Sequence, residues 1–238
     1  MCSSDLAFGR CASQPLAARH NPAVTERYFK HLYQPPPGAD RRTLLLLHGP
    51  AGDEHELLPL ASLLWPTAGI LSPRGQLDVD GEWHFFRRFE GGTCDLGDLE
   101  RRATQLAQFV AGAARVYRFE PREVVAVGYS DGATLASTLL VGNPEVLAGA
   151  VLFRSATPCM PERIKAVPGT PVLLAGGSHD PVITPEDTGD IAGMLRVAGA
   201  TVTVSLQPAA RQIVPEDVEQ AREWLTSCGT LRSPLRMS

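Results

Sequence analysis

The chain has 238 residues, 44% of them hydrophobic and 20% charged, which is ordinary globular usage and excludes a disordered or collagen-like polymer. Lys and Arg number 22 against 26 Asp and Glu, for a formal charge of −4, and no segment gathers a basic stripe. That excludes a dedicated nucleic-acid or anionic-membrane binder. The 5 cysteines (Cys2, Cys11, Cys94, Cys159, Cys228) are scattered without a C-x-x-C pair, so neither a metal site nor a disulfide framework is expected. The first residues lack the apolar core of a signal peptide, and no run approaches the roughly 20 apolar residues that span a bilayer. A cytoplasmic protein follows as the expectation.

In chain order, residues 1–22 have no periodicity and read as a tail. Residues 24–33 (VTERYFKHLY) predict an edge strand closed by Pro35-Pro36-Pro37-Gly38. Thr43-Leu44-Leu45-Leu46-Leu47 has the continuous apolar character of a strand buried on both faces. Asp53 with Glu56 reads as a capping box ahead of the helical HELLPLASLLW. A short strand is expected at 69–72 and a long helix at 98–117, where Leu99, Ala103, Leu106, Val110, Ala113 and Tyr117 share one face. Strands at 124–127, 150–153, 172–175 and 201–206 alternate with helices at 133–141, 186–198 and 215–226. The last helix opens on Pro215, with Glu216 and Asp217 suited to its positive end. This alternation predicts one α/β domain over 23–228, with a mostly parallel central sheet, helices on both faces and a tail at 229–238. Ligands of such sheets bind beyond the carboxyl ends of the strands.

One strand-end motif carries chemistry. Gly128-Tyr129-Ser130-Asp131-Gly132 lies between a VVAV strand and an ATLASTLL helix, the strand–turn–helix context that lifts a serine nucleophile onto a tight elbow. From about residue 43 to 226 the chain resembles the α/β-hydrolase superfamily, and within it the bacterial phospholipase/carboxylesterase family of small esterases. The stretches LLLLHGPAGDE, ILSPRG, FFRRF, GYSDGATLA, AGAVLFR, GGSHDPVITPE and IVPEDVEQAREWL carry the likeness. Within that group it is similar to predicted esterases linked to quinone stress.

The resemblance implies a Ser–Asp–His triad with Ser130 as nucleophile and Asp180, in Gly177-Ser178-His179-Asp180-Pro181, as the orienting acid. The family's third member falls in Ala210-Arg211-Gln212-Ile213, where Arg211 stands in place of histidine. No histidine follows His179. A guanidinium stays protonated and is no general base; at this place it is expected to pair with Asp180. The resemblance also implies two oxyanion donors. Asp131 N–H supplies one, but the residue after His48-Gly49 is Pro50, which has no N–H, so the second falls to Ala51 or is missing.

His48 is expected to shape the oxyanion loop at the edge of the pocket, and His84 is the one candidate for a substitute base, if its loop borders the pocket. Phe86, with Trp83 and Phe85, reads either as pocket wall or as core. Arg88 and Arg154 read either as anchors for an anionic substrate group or as partners of carboxylates such as Glu90 and Asp95. No G-x-G-x-x-G or P-loop occurs and no cofactor is called for. The expectation is a weak serine carboxylesterase of small or aromatic esters; the alternative is an inactive homologue that binds a carboxylate or phenolate. Partners are thus a small-molecule ester or anion, with no nucleic acid and no membrane. Related esterases often pair, which leaves a homodimer open.

Overall fold

The computed structural model describes residues 29–90, 92–156 and 164–231. Among the described residues, nine strands and five α-helices follow in order: β1 (His31–Gln34), β2 (Thr43–Leu47), α1 (Leu58–Leu64), β3 (Gly69–Pro73), β4 (Leu77–Val79), β5 (Glu82–His84), α2 (Leu96–Tyr117), β6 (Val124–Tyr129), α3 (Asp131–Gly142), β7 (Gly149–Phe153), β8 (Pro171–Gly177), α4 (Pro185–Val197), β9 (Thr201–Gln207) and α5 (Pro215–Leu231). Seven strands form one sheet in the order β1-β3-β2-β6-β7-β8-β9, and β4 pairs with β5 as a separate hairpin. All neighbours in the large sheet are parallel except β1, which runs antiparallel to β3 at the edge.

The two faces of the sheet bury different residues because side chains alternate along a strand. Leu45, Leu47, Ala126, Leu152 and Leu174 join Leu99, Leu106, Phe109, Leu135 and Leu195 in one core, so α2, α3 and α4 cover that face. Leu44, Leu46, Val127, Val151, Phe153 and Leu173 join Ala61, Leu64, Ala221 and Leu225 in the other, under α1 and α5. Both layers explain why β2, β6 and β7 read as unbroken apolar runs. Among the described residues, no helix is long and apolar enough to cross a membrane.

Several expectations need correction. Residues 24–28 of the predicted edge strand and the tail 1–22 lie outside the described residues, and the strand itself starts at His31. The capping box at Asp53 and Glu56 does not form: α1 begins at Leu58, and its N-cap Leu57 has no side-chain hydrogen bond. Asp53 Oδ1 accepts from the nearby His55 N–H, and Glu56 is drawn away to Gly49 N–H. A true capping box closes α4 instead, between Thr184 and Asp187. The last helix runs on to Leu231, into the stretch expected to be tail.

Candidate active site

Ser130 sits at the turn between β6 and α3 with φ 52° and ψ −113°, a conformation L-residues rarely adopt, and its residue is 4% exposed. The flanking glycines make this turn feasible. A Cβ at Gly132 would lie 2.0 Å from Leu47 O, and one at Gly128 2.6 Å from Ala133 Cα, so any side chain there would collide with backbone. Ser130 N–H donates to Phe153 O at 2.9 Å, and Ser130 O accepts from Thr134 N–H. Strand, turn and helix therefore lock the serine at the carboxyl end of the sheet.

The loops after β8 and β9 pack together beside it. His179 N–H donates to Ala209 O, and a Cβ at Gly177 would fall 2.4 Å from both Ala209 O and Ala210 O. This contact brings Asp180 and Arg211 into one neighbourhood. Arg211 does not pair with Asp180, contrary to expectation. Its Nη2 donates to Ser130 Oγ at 2.9 Å. Asp180 Oδ1 accepts from Val182 and Ile183 N–H, while Oδ2 is buried with no hydrogen-bond partner. Asp180 therefore keeps one carboxylate oxygen unused.

The loop after β2 packs beside the elbow, its Leu47 and His48 carbonyls against Gly132. Gly49 O accepts from Gly52 N–H at 3.2 Å, closing a turn with Pro50 and Ala51 at its centre. Ala51 has φ 64°, as the third position of a type II turn requires, although glycine is the usual occupant. Asp131 opens α3, so its N–H has no acceptor within the helix and is available as a donor. His48 is 1% exposed and both ring nitrogens are engaged. Nε2 accepts from Gly75 N–H at 2.8 Å, which leaves the ring proton on Nδ1 to donate to Gly49 O at 2.7 Å. Its ring stacks on Phe85, with centroids 4.3 Å apart. Burial pushes its pKa below the ordinary imidazole value, against weaker opposing effects of Gly49 O and of Asp53 and Glu54. His48 is a neutral, buried strut of the loop after β2.

Residues 98–212 match the sequence profile of the dienelactone hydrolase family. The chain is also 37% identical over 196 residues to "Putative hydrolase MhqD" of Bacillus subtilis (strain 168), covering 82% of this chain and 97% of that protein. The chain belongs to the dienelactone hydrolase family, within the α/β-hydrolase superfamily. Among solved structures, a Bacillus cereus carboxylesterase superposes with a TM-score of 0.82 at 34% identity, over 86% of this chain and 97% of that one. A Mesorhizobium loti carboxylesterase gives 0.79 at 26% identity, over 85% and 96%. The protein solved as YahD with malic acid gives 0.78 at 25% identity, over 84% and 99%.

In this hydrolase most of the remaining candidates are buried or paired within the protein. Phe86 is 1% exposed and packs in the core with Phe85, so it is no pocket wall. Arg88 does lie beside the elbow, but its guanidinium is taken by the Asp131 carboxylate and by Gly92 O. Burial works against the Arg88 charge, and Asp131 more than offsets it, leaving the guanidinium held above its ordinary pKa. Arg154 is fully buried and paired with Asp217, not with Glu90 or Asp95. Asp95 instead caps α2 and meets Arg87 at 3.5 Å. His84 ends β5 opposite Leu77, in the hairpin beside His48, and His179 exposes its side chain.

Sequence reasoning missed three contributors. Glu56 Oε2 accepts from Gly49 N–H at 2.9 Å and packs against Gly52, which ties the turn before α1 to the loop after β2. Burial raises its pKa, as does the Asp53 charge, with Gly49 N–H opposing. Tyr129 OH donates to Arg211 O at 3.2 Å. Asp217, read as a helix-end charge, is completely buried against Arg154. Asp53, Glu54 and His55 bring possible metal-ligating atoms within 4.8 Å of one another, but Glu54 is already occupied by Arg74 and Lys30. A cavity of about 350 Å³ opens at the opposite end of the sheet, between Arg42, Trp65, Val125, Gly149 and Trp224, away from the elbow.

Proposed function

We propose that this chain is a serine hydrolase of small or aromatic carboxylic esters whose turnover Arg211 holds far below that of a complete triad. The observation that carries the reading is the 2.9 Å hydrogen bond from Arg211 Nη2 to Ser130 Oγ. In the reaction, Ser130 Oγ attacks the ester carbonyl, and the oxyanion that forms lies toward Asp131 N–H and Ala51 N–H. Collapse expels the alcohol and leaves an acyl-serine, which water then hydrolyses. Arg211 stabilises a serine alkoxide by charge and hydrogen bond, yet it cannot accept the serine proton because a guanidinium has no free lone pair. The proton must therefore pass to solvent. In a well-studied serine protease, loss of the triad histidine costs on the order of 10⁶ in turnover, and the oxyanion site alone retains about 10³ over water.

A second reading has its own support. A guanidinium at the mouth of an oxyanion site suits a carboxylate ligand, and one structural relative was solved with malic acid. In that case the protein binds a small organic acid and turns nothing over. A serine-directed fluorophosphonate separates the two: labelling of Ser130 in the wild type supports the hydrolase, and its absence supports the binder. Hydrolysis of a short-chain nitrophenyl ester by wild type and Arg211→His tests the leading reading directly. Robust wild-type turnover that Arg211→His abolishes overturns it.

A further inference from the structure

Three consecutive carbonyls of the loop that carries Arg211 are each held from the strand ends around the elbow. Arg154 Nε donates to Ala210 O at 3.0 Å, Tyr129 OH to Arg211 O at 3.2 Å, and Arg154 Nη2 to Gln212 O at 2.7 Å. Tyr129 is the residue immediately before Ser130 and closes β6; Arg154 immediately follows β7. From these observations we infer that Arg154 and Tyr129 are positioning residues that aim the side chain at 211 onto Ser130. The inference rests on the reading that Arg211 controls the reactivity of Ser130.

The geometry is specific to this task. Arg154 is 0% exposed and has φ 50°, a left-handed conformation uncommon for a residue other than glycine. Its charge is neutralised by both oxygens of Asp217, at 3.2 and 2.6 Å, and Nη1 also donates to Ala175 O. Losing Arg154 alone would strand the buried Asp217 charge, whereas apolar residues in place of both often fold as well, so anchoring α5 alone does not account for a buried charge with five hydrogen bonds. What the planar guanidinium adds is a fixed fork that spans Ala210 O and Gln212 O together. With the carbonyls on both sides of Arg211 held, and its own carbonyl held by Tyr129, the backbone at 211 has little freedom left. The direction of its side chain follows. Asp217 closes the arrangement, because its Oδ2 also accepts from Val214 N–H at the end of the same loop.

The test reads the contact without relying on ester turnover. Ser130→Cys places a thiol where the guanidinium points, and its alkylation by iodoacetamide is followed from about pH 5 to 10, with peptide mass spectrometry separating it from the native thiols. A cation beside the thiol favours the thiolate, so the inflection is expected about one unit or more below the ordinary ~8.5, which is roughly tenfold more thiolate at pH 7. Adding Arg211→Gln is expected to return it to the ordinary range. Adding Tyr129→Phe, or Arg154→Lys, which keeps the charge but loses the fork, is expected to move it at least half of the way back. If Arg211→Gln leaves the inflection unchanged, the control of Ser130 by Arg211 is wrong, and the proposed function loses its basis. If Arg211→Gln moves it while Tyr129→Phe and Arg154→Lys do not, positioning alone is overturned. Should Arg154→Lys fail to fold, Tyr129→Phe, which removes one hydroxyl from a half-buried ring, decides by itself.

Discussion

Replacing Arg211 with histidine puts the missing base on a loop whose backbone is already held beside Ser130. Full recovery would be on the order of 10⁶ in kcat, the cost of deleting this residue in a complete triad. The imidazole is about two bonds shorter than the guanidinium, on the order of 2 Å, measured along the side chain. A misplacement of about 1 Å can cost about 10². The expected gain in kcat is therefore about 10²–10⁴, and the oxyanion donors are the same in both forms. Stability supplies a second readout. Asp180 Oδ2 is buried and unpaired, a burden of about 1–3 kcal/mol that an imidazole N–H would lift. Against that stands the lost bond from the charged guanidinium to Ser130 Oγ, worth about 1.5–3 kcal/mol. The two nearly cancel, so Tm should stay within about 2–4 °C of the wild type, the shift that about 1 kcal/mol gives in a domain of this size. The assay is nitrophenyl ester hydrolysis across pH, with thermal unfolding in parallel. Wild-type rate should climb steadily with pH because solvent is the base, whereas the variant should level off above the pKa of its new imidazole. A variant with no gain in kcat and the same steady climb refutes the argument that a missing base limits this site.

Gly132→Ala should be among the more damaging single changes, costing about 3 kcal/mol or more in denaturant unfolding, because its Cβ would meet the Leu47 and His48 carbonyls. An unchanged midpoint would contradict the packing of the elbow on β2. Arg88→Gln should leave the Asp131 carboxylate uncompensated next to the oxyanion site and lower esterase kcat about tenfold, ~1.4 kcal/mol in the barrier, with little change in KM. An effect confined to KM would instead assign Arg88 to substrate binding. The buried, neutral His48 has a folded pKa below the ordinary 6.5. The unfolded chain therefore takes up the proton first, and the stability His48 contributes is present above about pH 6.5 and lost as pH falls toward its lowered value. Urea midpoints measured downward from neutral pH should show this loss, and His48→Gln should flatten it; an unaltered slope counts against the neutral strut.

Much of the fold was legible because burial on two faces leaves a direct trace. TLLLL, VVAV, AVLF and VLLA are unbroken apolar runs, and each proves to be a central strand. The start of α1 was not legible, because Asp53 and Glu56 have the spacing of a cap but bind His55 and Gly49 instead. Spacing records what a side chain can do locally, whereas a backbone N–H from another loop competes for the same oxygen. Phe86 was ambiguous for a related reason. An aromatic after a hairpin can face solvent, ligand or core, and only the packing of α2 against the sheet directs it inward.

From the order of residues alone came the alternating strands and helices and the elbow at Ser130, while the resemblance to small esterases supplied Asp180 as the expected acid and Arg211 at the expected base position. Those are properties of local pattern and of motif order, which one chain displays without folding. Tertiary structure alone decided which oxygen Arg211 meets. Pairing with the Asp180 carboxylate was the expectation from charge, yet Asp180 spends one oxygen on Val182 and Ile183 N–H, and Arg211 reaches Ser130. The partners that hold this loop, Tyr129 and the Arg154–Asp217 pair, lie far from it or on other elements of the chain. A hydrogen bond is settled by distance and direction to within a few tenths of an ångström, and that information exists only once the sheet has brought its strand ends together.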